Sequence, residues 1–279
     1  MLYLSAEISH QNITRSNNNS KSHMPANAST DWTCYSVAGH SCEVFTPPTV
    51  SEPGRTILYF HDLQERSPQD VPALRKAFES AGLPVLVPHI GRTWCLQQKL
   101  NRFDNTLSAE DYILGPILDE CHRITGATPG GVGLLGCEMG GQAALRLAYR
   151  HPDKFPIAAA IAPAIDFHLG MRHGHDWADG ELFDTLWEIF DEPEQARQET
   201  AILHVHPLNW PRHQWLVSNS NDARWHDGSV RLSSKLIALG IPHTAILDDN
   251  HTEDVVSDFV DDAMKFIMKS LDAEARRVS

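Results

Sequence analysis

The chain has 279 residues, with 36 Asp and Glu against 23 Lys and Arg, and a formal net charge of −13 at pH 7. That balance, with no Lys/Arg run, argues against a nucleic-acid or anionic-membrane surface, since both need a basic patch to displace counterions. The length suits one large α/β domain, 31–279, with a substantial core.

The first ten residues carry Glu7 and His10, with no basic start and no long apolar run, so they do not read as a secretory signal. Nowhere does an apolar stretch approach the roughly 20 residues of a membrane span. Five cysteines, at 34, 42, 95, 121 and 137, lack a short-spaced framework. They fit reduced thiols and a cytoplasmic location. Residues 9–30 are rich in Asn and Ser and almost devoid of apolar periodicity, which predicts a flexible tail over 1–30.

From Trp32 the pattern changes. Residues 32–37 and 41–45 read as two strands around Ala38-Gly39-His40. Residues 56–60 form a continuous apolar run suited to a parallel sheet buried on both faces. A helix is predicted over 68–81, ending at Gly82, and a strand over 83–87. Ser108 opens a further helix, which Gly115-Pro116 should kink. Residues 130–136 read as a strand, 139–150 as a helix and 157–161 as a strand. The stretch 162–211 is less regular and His-containing, and its place after a strand predicts a small lid over the carboxyl edge of the sheet. A strand at 214–217, a helix at 229–239, a strand at 244–247 and a final helix starting near Thr252 complete the chain. The expected architecture is a mostly parallel twisted sheet with helices on both faces.

The stretch Gly136-Cys137-Glu138-Met139-Gly140-Gly141 joins a buried strand to a helix. Its glycines bracket position 138 as in the nucleophile elbow Gly-x-Ser-x-Gly, where small neighbours let the backbone turn sharply and push one side chain out over the sheet edge. Here that side chain is Glu138. Loops at successive strand ends carry His61-Asp62-Leu63, Glu138, Asp222 and His251, the chain order nucleophile, acid, histidine.

On these residues the chain, from about 32 to its end, resembles the α/β-hydrolase superfamily. Within it the chain is most similar to esterases related to S-formylglutathione hydrolase (esterase D), whose elbow typically reads Gly-x-Ser-Met-Gly-Gly. Residues 155–163 and His206-Pro207-Leu208-Asn209-Trp210-Pro211 also look like bacterial members of that group. The resemblance implies that Asp222 orients the imidazole of His251, the general base, and that the backbone amides of Leu63 and Met139 form the oxyanion hole. The pairs in His173-Gly174-His175-Asp176 and His204-Val205-His206 lack the fixed spacing of a known metal motif, so no metal and no cofactor is expected; a small acyl or ester-like ligand is the expected partner, and a homo-oligomer is left open. Three positions depart from the pattern: Glu138 for serine, Asp62 where His-Gly is usual, and Asp248-Asp249-Asn250 where glycine precedes the histidine. For Asp222 the alternative is a loop aspartate closing an Asx-turn, and for His251 a surface histidine ahead of a helix cap.

A carboxylate at a helix N-terminus near oxyanion amides is expected to be stabilised as an anion, with its pKa lowered, beside an imidazolium at His251. Such a cluster offers His251 no hydroxyl proton to remove. Three readings follow: esterase descent with the serine mechanism lost and a ligand pocket retained; an active hydrolase using Glu138 as nucleophile on an alkyl carbon or as base on water; and a non-catalytic binding or structural protein.

Overall fold

The computed structural model describes residues 31–50, 52–247 and 254–278. The expected tail and His251 lie outside the described residues. The strands are β1 (Asp31–Val37), β2 (His40–Thr46), β3 (Thr56–Phe60), β4 (Val85–Pro88), β5 (Val132–Cys137), β6 (Ile157–Ile161), β7 (His213–Val217) and β8 (Thr244–Ile246). They form one eight-stranded sheet in the order β1-β2-β4-β3-β5-β6-β7-β8. Ala38 and Gly39, both at positive φ, fold β1 back on β2, the geometry a two-residue hairpin loop requires. β2 also runs antiparallel to β4, and the remaining pairings are parallel.

Side chains alternate across this sheet as a two-residue period demands. Leu58, Phe60, Leu134, Ala158, Ala160 and Leu216 face one core. Ile57, Tyr59, Leu135, Ile157, Ala159 and Val217 face the other, which is closed by helix α1 (Pro72–Ala81) and, as named below, the C-terminal helix. The sequence reading started α1 at residue 68. A short 3₁₀ turn occupies Pro68–Asp70 instead, because Pro72 has no N–H with which to continue a helix from Pro68. Over the first core lies α2 (Ala109–Tyr112), capped by Ser108 Oγ accepting Asp111 N–H at 3.0 Å. It passes through a π-helical turn, Ile113–Ile117, into α3 (Leu118–Thr125). The predicted kink at Pro116 thus takes the form of one wide turn.

Helix α4 (Met139–Arg150) leaves the elbow and is buried along almost its whole length. Between β6 and β7 the chain forms α5 (Gly170–His173), a 3₁₀ segment Gly180–Glu188, α6 (Pro193–Gln198) and α7 (Ala201–His204). An aromatic cluster including Trp94, Phe167, Phe183 and Trp225 seats this insertion on Leu63 and Met139, at the carboxyl ends of β3 and β5. A buried charge network ties it to α4. Arg146 and Glu110 are both fully buried; Arg146 Nη1 donates to Glu110 Oε2 at 2.6 Å and to the Cys95 carbonyl at 3.1 Å, and its Nη2 donates to the Glu199 carboxylate. Glu110 Oε1 also meets Arg150 Nε at 3.0 Å and His151 Nε2 at 2.8 Å, so no charge in the group stands uncompensated.

Helix α8 (His226–Ala238) starts three residues before the predicted 229. The Asp222 side chain accounts for the early start: its Oδ1 accepts the N–H groups of Arg224 at 3.0 Å and Trp225 at 3.3 Å, while its carbonyl accepts His226 N–H. The last helix, α9 (Val255–Val278), is capped by Asp254, whose Oδ1 accepts Ser257 N–H at 3.1 Å; Thr252, the expected cap, lies outside the described residues. Among the described residues no helix is long and apolar enough to cross a membrane.

Candidate active site

The elbow is built by close backbone approach. A Cβ on Gly136 would lie 2.1 Å from the Gly140 carbonyl oxygen, and one on Gly140 would lie 2.1 Å from that of Phe60. Only hydrogen fits at either place, so the spacing of the two glycines is a steric requirement of the turn. Between them Glu138 is held at φ 48° and ψ −110°, a region costly for any residue with a Cβ. Three hydrogen bonds fix it there: Glu138 N–H to Ile161 O at 3.0 Å, and Ala164 N–H (2.9 Å) and Gln142 N–H (3.0 Å) to Glu138 O.

The Glu138 side chain turns back over the end of β3. Its Oε2 lies 3.4 Å from Leu63 N and accepts that N–H, while Oε1 lies 3.8 Å from Arg224 Nη2. Met139 follows as the first residue of α4 and is buried beside Leu63 in the aromatic cluster. Glu138 and Asp222 share a cavity of about 560 Å³ whose polar wall also includes Asp62, Arg66, Asn219 and Arg224. The structure therefore brings Glu138, Leu63, Met139 and Asp222 to one edge of the sheet. His251 follows β8 in the chain and lies outside the described residues.

One expectation is corrected. The Glu138 pKa is raised: burial dominates, the neighbouring Asp62 and Asp222 charges add to it, and Arg224 and the Leu63 N–H only partly oppose it. Taking a carboxylate out of water disfavours its charged form. Asp62, the second departure from the family pattern, is turned toward Arg66. It is buried, with Oδ2 2.5 Å from Arg66 Nε and Oδ1 accepting Arg66 N–H at 3.1 Å. Cys137 points away from the apex into the core, where burial pushes its thiol up to about 12. Among the described residues no group of three or more His, Cys, Asp or Glu side chains is arranged to hold a metal.

The sequence reading missed Arg224. Its guanidinium is paired through Nη1 with both carboxylate oxygens of Asp179, at 2.9 and 3.0 Å, and lies over the rings of Trp177 and Trp225 at 5.9 and 5.5 Å. Charge bookkeeping could have found it. A carboxylate placed at a buried elbow calls for a nearby cation, and Arg224 stands two residues past the candidate acid.

Residues 110–247 match the Esterase family model, described as "Putative esterase". No curated protein matches the chain significantly. Among solved structures, an S-formylglutathione hydrolase from Agrobacterium tumefaciens aligns with a TM-score of 0.66 at 15% identity, over 88% of this chain and 98% of that one. The fluorophosphonate-binding serine hydrolase FphF of Staphylococcus aureus aligns at 0.62 and 15% identity, over 85% and 97%. A ferulic acid esterase aligns at 0.61 and 12% identity, over 83% and 93%. Identities this low speak to fold alone. The chain has the α/β-hydrolase fold.

Proposed function

We propose that this chain binds a small acyl or ester-like ligand in the elbow cavity and does not carry out the serine reaction. The observation that carries the reading is the 3.4 Å contact from Leu63 N–H to Glu138 Oε2. In a serine hydrolase the amides at this place receive the negative charge that develops on the acyl oxygen. Here one of them already faces a carboxylate, so a second anion formed beside it meets repulsion. Glu138 also has no hydroxyl proton for His251 to take, and its attack on an ester carbonyl would have to expel an alkoxide while forming a reactive anhydride. On this reading Asp222 keeps the loop after β7 in shape through its bonds to Arg224 and Trp225 N–H.

One observation favours a second reading. Burial raises the Glu138 pKa, which makes its carboxylate a stronger base than an exposed one, fitted to activate water or attack an alkyl carbon. The two readings separate in one experiment. A panel of short-chain p-nitrophenyl esters is offered to the native protein, to Glu138→Ser, and to that variant with Asp222→Ala or His251→Ala added. The expected result is a silent native protein and turnover by Glu138→Ser that drops by orders of magnitude when either partner is removed. Ester hydrolysis by the native protein that vanishes in Glu138→Gln would overturn the reading in favour of a working glutamate.

A further inference from the structure

Arg224 sits where four parts of the site meet. Its backbone belongs to the loop after β7, shaped by Asp222. Its guanidinium donates to Asp179 of the insertion, lies over Trp177 of the insertion and Trp225 at the start of α8, and reaches toward Glu138 of the elbow. Asp179 Oδ2 also accepts from Gln64 Nε2 at 3.2 Å, and Gln64 directly follows the amide donor Leu63. The two tryptophan rings meet edge to face, 5.9 Å apart. Two carboxylates and two indoles around one point form a surround suited to a planar organic cation, and the chain's own guanidinium fills it.

The same side chain divides two spaces. Arg224 lines the elbow cavity of about 560 Å³ and also a recess of about 510 Å³ bounded by Asp176, Trp177, Ala178 and Asp179. We propose that Arg224 is a lid latch: a tethered cation whose seat between Asp179, Trp177, Trp225 and Glu138 pins the insertion to the loop after β7 and to the elbow, and whose withdrawal opens the elbow cavity into the outer recess. The empty seat would take a free guanidinium ion. What the latch admits rests on the elbow being a ligand pocket; that the latch exists does not.

The test needs no ligand or substrate, so it stands apart from the ester panel. Hydrogen exchange of residues 177–182 and 63–66 is followed in the full chain for the native protein, Arg224→Ala, Asp179→Asn and the control Lys265→Ala. A half-buried Arg–carboxylate pair with stacked rings accounts for about a tenfold change in local opening. Arg224→Ala and Asp179→Asn should therefore exchange about tenfold faster in 177–182, with Lys265→Ala unchanged. Millimolar guanidinium chloride should restore protection to Arg224→Ala, and sodium chloride at equal ionic strength should not. Unchanged exchange in both variants would overturn the proposal. So would faster exchange that guanidinium fails to reverse, because Arg224 would then be a general support of the loop with no cation seat.

Discussion

Gly140→Ala puts the elbow's geometry under direct test. The added methyl carbon would lie 2.1 Å from the Phe60 carbonyl oxygen, 2.5 Å from the Phe60 carbonyl carbon and 2.5 Å from the His61 oxygen. All three atoms are backbone at the end of a central strand, so no side chain can swing away. Relief requires the start of α4 and the end of β3 to part by roughly 1 Å before normal contact returns. Overpacking of this kind costs about 3 kcal/mol. For a domain of this size that lowers Tm by about 6–12 °C. The assay is thermal unfolding followed by circular dichroism, with Gly115→Ala as the contrast. A Cβ at Gly115 meets no atom within 4 Å, so that variant should melt at or slightly above the native temperature. A Gly140→Ala protein melting within about 3 °C of native would refute the claim that the turn is closed by backbone contact.

Removal of Arg146 should be among the most damaging single truncations. Arg146→Ala leaves the fully buried Glu110 with only Arg150 and His151, and leaves Glu199 without its guanidinium, at a cost of about 3–5 kcal/mol read by urea titration. A loss below about 1 kcal/mol would show that the network is incidental. Stability should also carry the signature of Glu138. Its folded pKa is raised, chiefly by burial, so its favourable contribution is complete below the unfolded carboxyl pKa and is lost as pH rises through the folded value. Glu138→Gln should accordingly gain stability relative to the native protein as pH is raised above the ordinary carboxyl range; a difference that does not change with pH would contradict the raised pKa.

The sheet was legible because its strands are buried on both faces. Runs such as Thr56–Phe60 and Ile157–Ile161 admit no other placement at that length, and the structure pairs them as expected. The elbow was legible because two glycines four apart, between a strand and a helix, have a steric reason that survives replacement of the residue between them. Helix starts were less so. The start of α8 depends on Asp222 capping its own loop, a choice between local and catalytic use of one carboxylate that composition does not decide. Arg224 was hidden for a different reason. It works through Asp179, which is 45 positions away in the chain and becomes a neighbour only when the insertion folds back over the sheet edge. The direction of the Glu138 pKa was hidden for a similar reason, because the burial that raises it exists only in the folded chain.

Covalent labelling at position 138 bears most directly on the central claim, that the site is a hydrolase elbow from which the nucleophile has been exchanged. Native protein and Glu138→Ser are treated with a fluorophosphonate, and intact mass and peptide mapping are read without any need for turnover. The account predicts no adduct on the peptide containing residue 138 of the native protein and one phosphonyl adduct on the serine of the variant. An unlabelled variant that remains folded would contradict it, because the elbow, the amides of Leu63 and Met139, and the partners of the nucleophile would then not form a site that one hydroxyl completes.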